Sequence, residues 1–109
     1  MRTSPRTALT LLAVLGVAAS TAASAADPLA GRLLASQCAQ CHGTNGNAVS
    51  GFESLAGESV NEIYNELKDM QAHTPPEGIM DLQARGYTDE QIRLLAEFFA
   101  AQPRSGSDD

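Results

Sequence analysis

The sequence predicts a small all-α domain with three main helices and one short helix. Apolar residues recur at helical spacing in three segments, and each segment follows residues that commonly cap helix N-termini. No segment alternates apolar and polar residues with the period of a strand, and no internal repeat is present in the sequence. The chain has 109 residues, which is the size of one domain.

The first helix begins beside Asp27, a good N-cap, with Pro28 at its first position. It runs toward Cys38, and one apolar face is predicted to contain Leu29, Leu33 and Leu34. Gly31 is costly inside a helix, so we expect it to permit a close contact with another helix.

A glycine-rich loop over residues 43–57 separates the first helix from the second. Ser59 and Glu62 have the spacing of a capping box, and the second helix should end before Thr74. Its core-facing positions are Val60, Ile63, Tyr64, Leu67 and Met70.

A short helix over residues 80–85 should end at Gly86, a typical residue after a helix C-terminus. Thr88 and Gln91 then repeat the capping-box spacing, and Pro103 ends the last helix. The apolar residues of that helix are Ile92, Leu95, Ala96, Phe98 and Phe99.

The chain begins with a predicted secretory signal peptide, residues 1–25. Arg2 and Arg6 precede a short uncharged apolar run and then small residues. We expect cleavage after Ala25, and Ala26 fits nearly as well. The apolar run is shorter than the ~20 residues that a membrane-spanning helix needs. The mature protein is therefore expected in the periplasm, without a membrane span.

The remaining chain is predicted to form one domain, residues 26–103, and a frayed polar tail, residues 104–109. It contains all 13 acidic residues but only five of the seven basic ones, so its net charge is −8, compared with −6 for the whole chain. This charge argues against nucleic-acid binding, which requires a cationic surface. It favours a protein partner with a basic docking patch.

The predicted hydrophobic core is thin for an independently folding domain. The chain has no tryptophan, and aromatic residues make up 5% of it. Domains below roughly 70–80 residues usually need a disulfide, a metal or another staple. A large, mostly apolar cofactor would fill such a core.

Cys38-Ala-Gln-Cys-His42 has the C-x-x-C-H spacing of covalent haem attachment. The Cys38 and Cys41 thiols can reach the two vinyl groups along one edge of a porphyrin, and His42 then lies below the ring with a nitrogen directed at iron. The sequence therefore predicts one covalent haem c.

Three other interpretations of the motif are weaker. A thiol–disulfide oxidoreductase would need a βαβ setting, which the helical pattern does not provide. A plain disulfide would explain neither His42 nor the thin core. A zinc site would need four ligands, and the available set departs from common zinc spacings: Cys38, Cys41, His42 and His73.

The second axial iron ligand has three candidates by residue type. Met70 occupies a core position of the second helix, and His73 follows the C-terminus of that helix. Met80 follows a proline-containing loop and precedes the short helix, so it can be presented opposite His42. The pattern favours Met80 and leaves the other two open.

Over residues 27–102 the sequence resembles class I cytochromes c. Among these it is most similar to cytochrome c4-type monohaem domains and to the haem subunit of flavocytochrome c sulfide dehydrogenase. Four stretches carry the resemblance: Cys38-Ala-Gln-Cys-His-Gly-Thr-Asn-Gly-Asn47, Ser54-Leu-Ala-Gly-Glu58, Ile63-Tyr-Asn-Glu-Leu-Lys-Asp69 and residues 79–92 around Ile79-Met80 and Ala84-Arg-Gly-Tyr-Thr-Asp-Glu-Gln-Ile92. The last stretch implies that Met80 is the second ligand.

The resemblance implies the class I cytochrome c fold around one haem, in which Gly31 contacts Phe98 or Phe99. The family commonly has a proline where this chain has Glu53, and the backbone carbonyl there accepts a hydrogen bond from the proximal histidine. A backbone oxygen does not require proline, so we expect His42 to keep this bond. The substitution puts the rigidity of the loop in doubt.

Axial ligation by His42 and Met80 would leave no iron position for substrate, so the expected activity is one-electron transfer with no catalytic residue. The favoured role is the haem subunit of a flavocytochrome that accepts electrons from an FAD-containing sulfide dehydrogenase subunit. The alternative is a free periplasmic electron carrier. A haem peroxidase or ligand sensor would require Met80 to be absent or labile.

Overall fold

The computed structural model describes residues 27–106. Within this range the chain forms five α-helices and no strand: α1 (Pro28–Ala35), α2 (Ala39–His42), α3 (Val60–Ala72), α4 (Ile79–Ala84) and α5 (Asp89–Ala100), with a 3-10 turn at Thr44–Gly46. The all-α prediction is confirmed, with α1, α3 and α5 as the main helices and α4 as the short one. The predicted signal peptide and its cleavage site lie outside the described residues. Over residues 27–106 no helix is long and apolar enough to cross a membrane.

The predicted caps hold the starts of the three main helices. The Leu29 amide donates to the Asp27 carboxylate at 2.9 Å. The Glu62 amide donates to the Ser59 hydroxyl at 3.2 Å, which fixes the start of α3. At α5, the Gln91 amide donates to the Thr88 hydroxyl and the Thr88 amide donates to the Gln91 side chain, completing a capping box. These bonds satisfy amide groups that a helix N-terminus otherwise leaves unpaired.

Gly31 lies where α1 crosses α5. A Cβ at this position would come within 2.7 Å of the Leu94 carbonyl oxygen and 3.2 Å of the Phe98 Cβ. Phe98 is therefore the aromatic partner of this glycine, and Phe99 is buried in the core instead. The absence of a side chain at Gly31 allows the two helices to approach closely.

The apolar face predicted for α1 is only partly buried. Leu29 is 55% exposed and Leu33 is 64% exposed, whereas Gly31 and Ala35 are buried. The close crossing with α5 selects small residues for the contact, so the larger leucines lie at the edge of the interface. The leucine spacing correctly indicated a helix, but of the three leucines only Leu34 packs against the core.

The core between α1, α3 and α5 is small. Its buried members are Ala35, Ile63, Leu95, Ala96 and Phe99. Within the described chain, Ile92 and Leu95 are the largest side chains with less than 2% exposure. Half-buried apolar residues surround this core and form one wall of a cleft, as the thin-core prediction requires.

Candidate haem site

A cleft that is open to solvent on one side lies between α3, α4, α5 and the segment around α2. Cofactor sites are commonly clefts with mainly apolar walls. The apolar wall of this cleft includes Leu55, Ile63, Leu67, Leu95 and Phe99, and Cys38, His42, Met70 and Met80 also line it. The structure therefore brings three of the four predicted site residues to one cavity, and Cys41 lies on the same short helix as His42.

Cys38 and His42 are one helical turn apart. The Cys38 amide donates to the Ala35 carbonyl, and the His42 amide donates to the Cys38 carbonyl at 2.9 Å, so the chain turns through α2. Residues at i and i+4 of such a turn share a face, which directs both side chains to the cleft. Cys38 is half-buried, and Cys41 is exposed; both thiols are free. Burial raises the pKa of the Cys38 thiol.

The His42 ring is oriented by a backbone carbonyl. Its Nδ1 lies 2.6 Å from the Glu53 carbonyl oxygen. Since a carbonyl can only accept, Nδ1 carries the proton and Nε2 keeps its lone pair for a metal. The expectation that this bond survives without a proline is confirmed. Phe52 adds an edge contact, with its ring centroid 6.5 Å from that of His42.

The structure separates the three candidates for the second ligand. Met80 is half-buried in the first turn of α4 and lines the cleft, and Met70 lines it from the last turns of α3. His73 is not among the lining residues, and its Nδ1 lies 3.0 Å from an Asp81 carboxylate oxygen. Two methionines therefore remain near the cleft.

Across residues 27–106 no group of three or more His, Cys, Asp or Glu side chains is arranged to hold a metal ion.

Asp81 holds the start of α4, a role that the sequence analysis missed. The residue is 5% exposed, and its carboxylate accepts hydrogen bonds from the Glu77 amide at 2.7 Å and from His73. The hydrogen bond from the Glu77 amide has the largest effect in holding the pKa of the Asp81 carboxyl below its usual range, and the hydrogen bond from His73 lowers it further. The Arg85 guanidinium donates to the His73 carbonyl, so residues 73–78 are fastened to α4 at two points. The sequence did contain an indication of this role. Gly78 has no side chain with which to cap α4, and Asp81 is an acidic residue at the third position of that helix.

Gln71 fastens the other end of α4. Its side-chain amide donates to the Ala84 carbonyl and to the Tyr87 carbonyl, both at 2.8 Å, and its oxygen accepts from Lys68 at 2.8 Å. Lys68 in turn pairs with Asp89 at 2.5 Å, at the start of α5. The short helix that carries Met80 is thus bonded to α3 and to its neighbouring loops at both ends.

Negative charge lies at the edge of the cleft. Glu53 and Glu66 both line it. Partial burial raises the pKa of Glu66, and the nearby carboxylates of Glu53, Glu62 and Glu58 raise it further. The acidic surface expected from the composition therefore reaches the site itself.

The residues present fit a covalently attached haem. Two free thiols have C-x-x-C spacing, the His42 ring is fixed with Nε2 available, and two methionines line the same apolar cleft. This donor set matches haem c, whose iron is held by histidine and methionine.

Comparison with known proteins agrees with this geometry. The cytochrome c family model matches residues 29–102. The cytochrome subunit of sulfide dehydrogenase from Chlorobaculum tepidum is 38% identical over 87 residues, which cover 80% of this chain and 79% of that protein. Cytochrome c-554(548) from Halomonas halodenitrificans is 29% identical over 82 residues, which cover 72% of this chain and 99% of that protein.

The chain belongs to the cytochrome c family. It is an electron-transfer cytochrome, its cofactor is covalent haem c, and its all-helical structure is consistent with the class I fold.

Proposed function

We propose that this chain is the haem-bearing subunit of a periplasmic, sulfide-oxidising flavocytochrome. It accepts single electrons from an FAD-containing partner subunit and passes them to a further acceptor. The observation that carries this proposal is the 38% identity to the cytochrome subunit of sulfide dehydrogenase along 80% of the chain. The resemblance in residues 79–92, which include Met80, supports the same assignment.

Four side chains hold the cofactor in this proposal. Cys38 and Cys41 would form the thioethers to the porphyrin, and His42 Nε2 and the Met80 sulfur would be the iron ligands. The Glu53 carbonyl keeps His42 in one tautomer and orientation, because it accepts the Nδ1 proton at 2.6 Å. When bound, the haem supplies reversible exchange of one electron between Fe(III) and Fe(II).

The protein contributes ligand identity, burial and charge to this exchange. A thioether ligand and an apolar wall both favour the reduced iron. Glu53 and Glu66 act in the opposite direction, because negative charge at the cleft stabilises the oxidised iron. With His42 and Met80 as its ligands, the iron would offer no position to a substrate, and the chemistry would be electron transfer alone.

The partner is expected to dock with a basic surface. The chain carries 13 acidic and seven basic residues, and two of the acidic residues line the cleft. Complementary charge steers association and fixes the docking register. Cys41 is exposed, so the thioether that it would form is accessible to a partner.

Export completes the proposal. Covalent attachment at Cys38 and Cys41 follows transport of the chain under the predicted signal peptide, residues 1–25. The acidic, haem-filled domain then works in the periplasm.

A free periplasmic electron carrier is the second candidate. The similarity to cytochrome c-554(548) supports it, because that protein is described as a cytochrome and not as a subunit of an enzyme. The four haem-binding residues would act in the same way, and only the electron donor would differ.

Isolation of the native protein separates the two roles. A periplasmic extract is fractionated by size in low salt, and haem and flavin absorbance are followed together. We expect both to elute in one peak that reduces its haem when sulfide is added. A parallel run in high salt serves as the control, because screening weakens a charge-steered contact. Elution of the haem as a monomer below 11.4 kDa, without flavin, in both runs would instead establish the free carrier.

A further inference from the structure

The residues after α5 fold back onto the loop that follows His42. The Asn47 side chain donates to the Pro103 carbonyl at 3.1 Å and accepts from the Ser105 amide at 2.7 Å. One side chain therefore binds the backbone of the C-terminal segment on both sides of Arg104. Arg104 and Ser105 belong to the segment that we predicted to be a frayed tail, and these bonds hold them in place.

The same segment also binds the far side of the loop. Arg104 donates to the Glu58 carboxylate at 2.5 Å. Its aliphatic stem covers Gly57, where an added Cβ would lie 3.1 Å from the Arg104 Cγ. The Gly57 amide donates to the Phe99 carbonyl at 2.9 Å, at the end of α5. The C-terminal segment thus contacts the loop before and after Glu53.

Glu53 lies between the two points at which the C-terminal segment contacts the loop. The Gly46 carbonyl accepts from the Leu55 amide at 2.8 Å and from the Ala56 amide at 3.1 Å, which closes the loop below its tip. At the tip, Val49 is 93% exposed and Phe52 is 58% exposed. Segments with so few buried contacts open easily unless their ends are held.

We propose that residues 103–105, held by Asn47, form a clamp that positions the Glu53 carbonyl for the His42 Nδ1–H bond. Asn47 is a positioning residue in this proposal. The inference rests on the proposed role of His42 as an iron ligand. Through that bond the clamp sets the basicity of the imidazole, and hence how strongly it stabilises Fe(III).

Two variants of the haem-loaded protein remove the clamp from opposite sides. Asn47→Ala removes both hydrogen bonds of the Asn47 side chain. Ser105→Pro removes the amide N–H that donates to Asn47 and leaves the loop sequence unchanged. Exchange of the His42 Nδ1 proton with solvent is measured by NMR in the reduced state, together with the reduction potential.

In Ser105→Pro we expect proton exchange to accelerate about tenfold, since the net contribution of one hydrogen bond corresponds to roughly that factor in a local opening equilibrium. Asn47→Ala loses two bonds, so its exchange should accelerate by at least as much. The reduction potential should rise, because an imidazole whose N–H bond is weakened donates less to Fe(III). The covalent haem should remain attached in both variants.

Matched controls separate the clamp from general destabilisation. Ser105→Ala removes the same hydroxyl as Ser105→Pro but keeps the amide, so exchange and potential should equal those of the unaltered protein. Thr88→Ala removes a helix cap at the opposite end of α5 and lowers overall stability. Its exchange and potential at His42 should also stay unchanged.

Unchanged exchange and potential in both clamp variants would overturn the inference, and so would equal changes in Thr88→Ala. Failure of the proposed site has a different signature. In that case the unaltered protein itself would lack an iron-bound His42, and both the ligand assignment and the clamp would be wrong.

Discussion

The two regions that carry the proposed iron ligands are held in different ways. On the His42 side, a loop is closed by backbone hydrogen bonds, and one of its carbonyls binds the ligand directly at 2.6 Å. On the Met80 side, the ligand has no such bond, and the helix that carries it is fastened at its ends by the side chains of Asp81 and Gln71. The first region positions a side chain, and the second positions a helix.

The chemistry of the two ligands explains this difference. An imidazole has a second nitrogen whose proton must be bonded, so a single carbonyl can fix both its tautomer and its orientation. A thioether has no proton to donate and is a weak acceptor. Met80 can therefore be placed only through the backbone of α4, and that backbone is set by the buried carboxylate of Asp81.

Loss of covalent attachment should have the largest effect, because in the proposed site the haem would join the two regions. In Cys38→Ala with Cys41→Ala, the exported chain should lack bound haem and lose most of its helical circular dichroism, since the core contains few fully buried large side chains. Val49→Ala, at a side chain that is 93% exposed, is the control and should fold normally. A cooperative helical melt in the double variant would show that protein contacts alone hold the two regions together.

Distortion of the loop on the His42 side should have the next largest effect. Gly43 has φ +77, and a Cβ there would lie 1.8 Å from the Asn47 carbonyl oxygen. Gly43→Ala should lower the free energy of unfolding by at least about 3 kcal/mol, from left-handed strain plus the clash. Gly51 has φ +66 with nothing within 4 Å, so Gly51→Ala should cost only about 1–2 kcal/mol. Denaturant unfolding of both haem-loaded variants measures the difference, and equal losses would mean that the loop adapts at no cost.

Removal of the Asp81 carboxylate should have a smaller effect, confined to the Met80 side. Asp81→Ala leaves the Glu77 amide without its acceptor and frees the start of α4. Added imidazole should then displace the methionine ligand at lower concentration, while exchange of the His42 Nδ1 proton stays unchanged. Asp69→Ala removes an exposed acidic residue of α3 and should bind imidazole like the unaltered protein. An equal change at His42 would show that the two regions are not independent.

Much of the fold could be predicted from local chemistry. Asp27, Ser59 and Thr88 cap their helices as the sequence indicates, because capping depends on residues only two or three positions apart. The buried face of α1 could not be predicted from leucine spacing, since it depends on how closely α5 approaches. The four-residue helix α2 was also missed, because a single turn within the haem motif has too few residues to show a period.

The site was predictable only in part. Cys38, Cys41 and His42 form a contiguous motif, and the family resemblance indicated Met80; their ligand roles remain predictions. Asn47 contacts residues 103 and 105, and Gln71 contacts residues 84 and 87. Such bonds join positions that are distant in sequence, and a lone asparagine or glutamine has many possible partners, so only the folded chain identifies them.

The identity of the second iron ligand tests the account most directly, because two methionines line the cleft. Met80→Ala and Met70→Ala are compared as haem-loaded proteins by the sulfur-to-iron charge-transfer band of the oxidised state. We expect Met80→Ala to lose the band while its haem stays attached, and Met70→Ala to retain it. Retention of the band in Met80→Ala, or its loss in Met70→Ala alone, would contradict the assignment of His42 and Met80 as the axial pair.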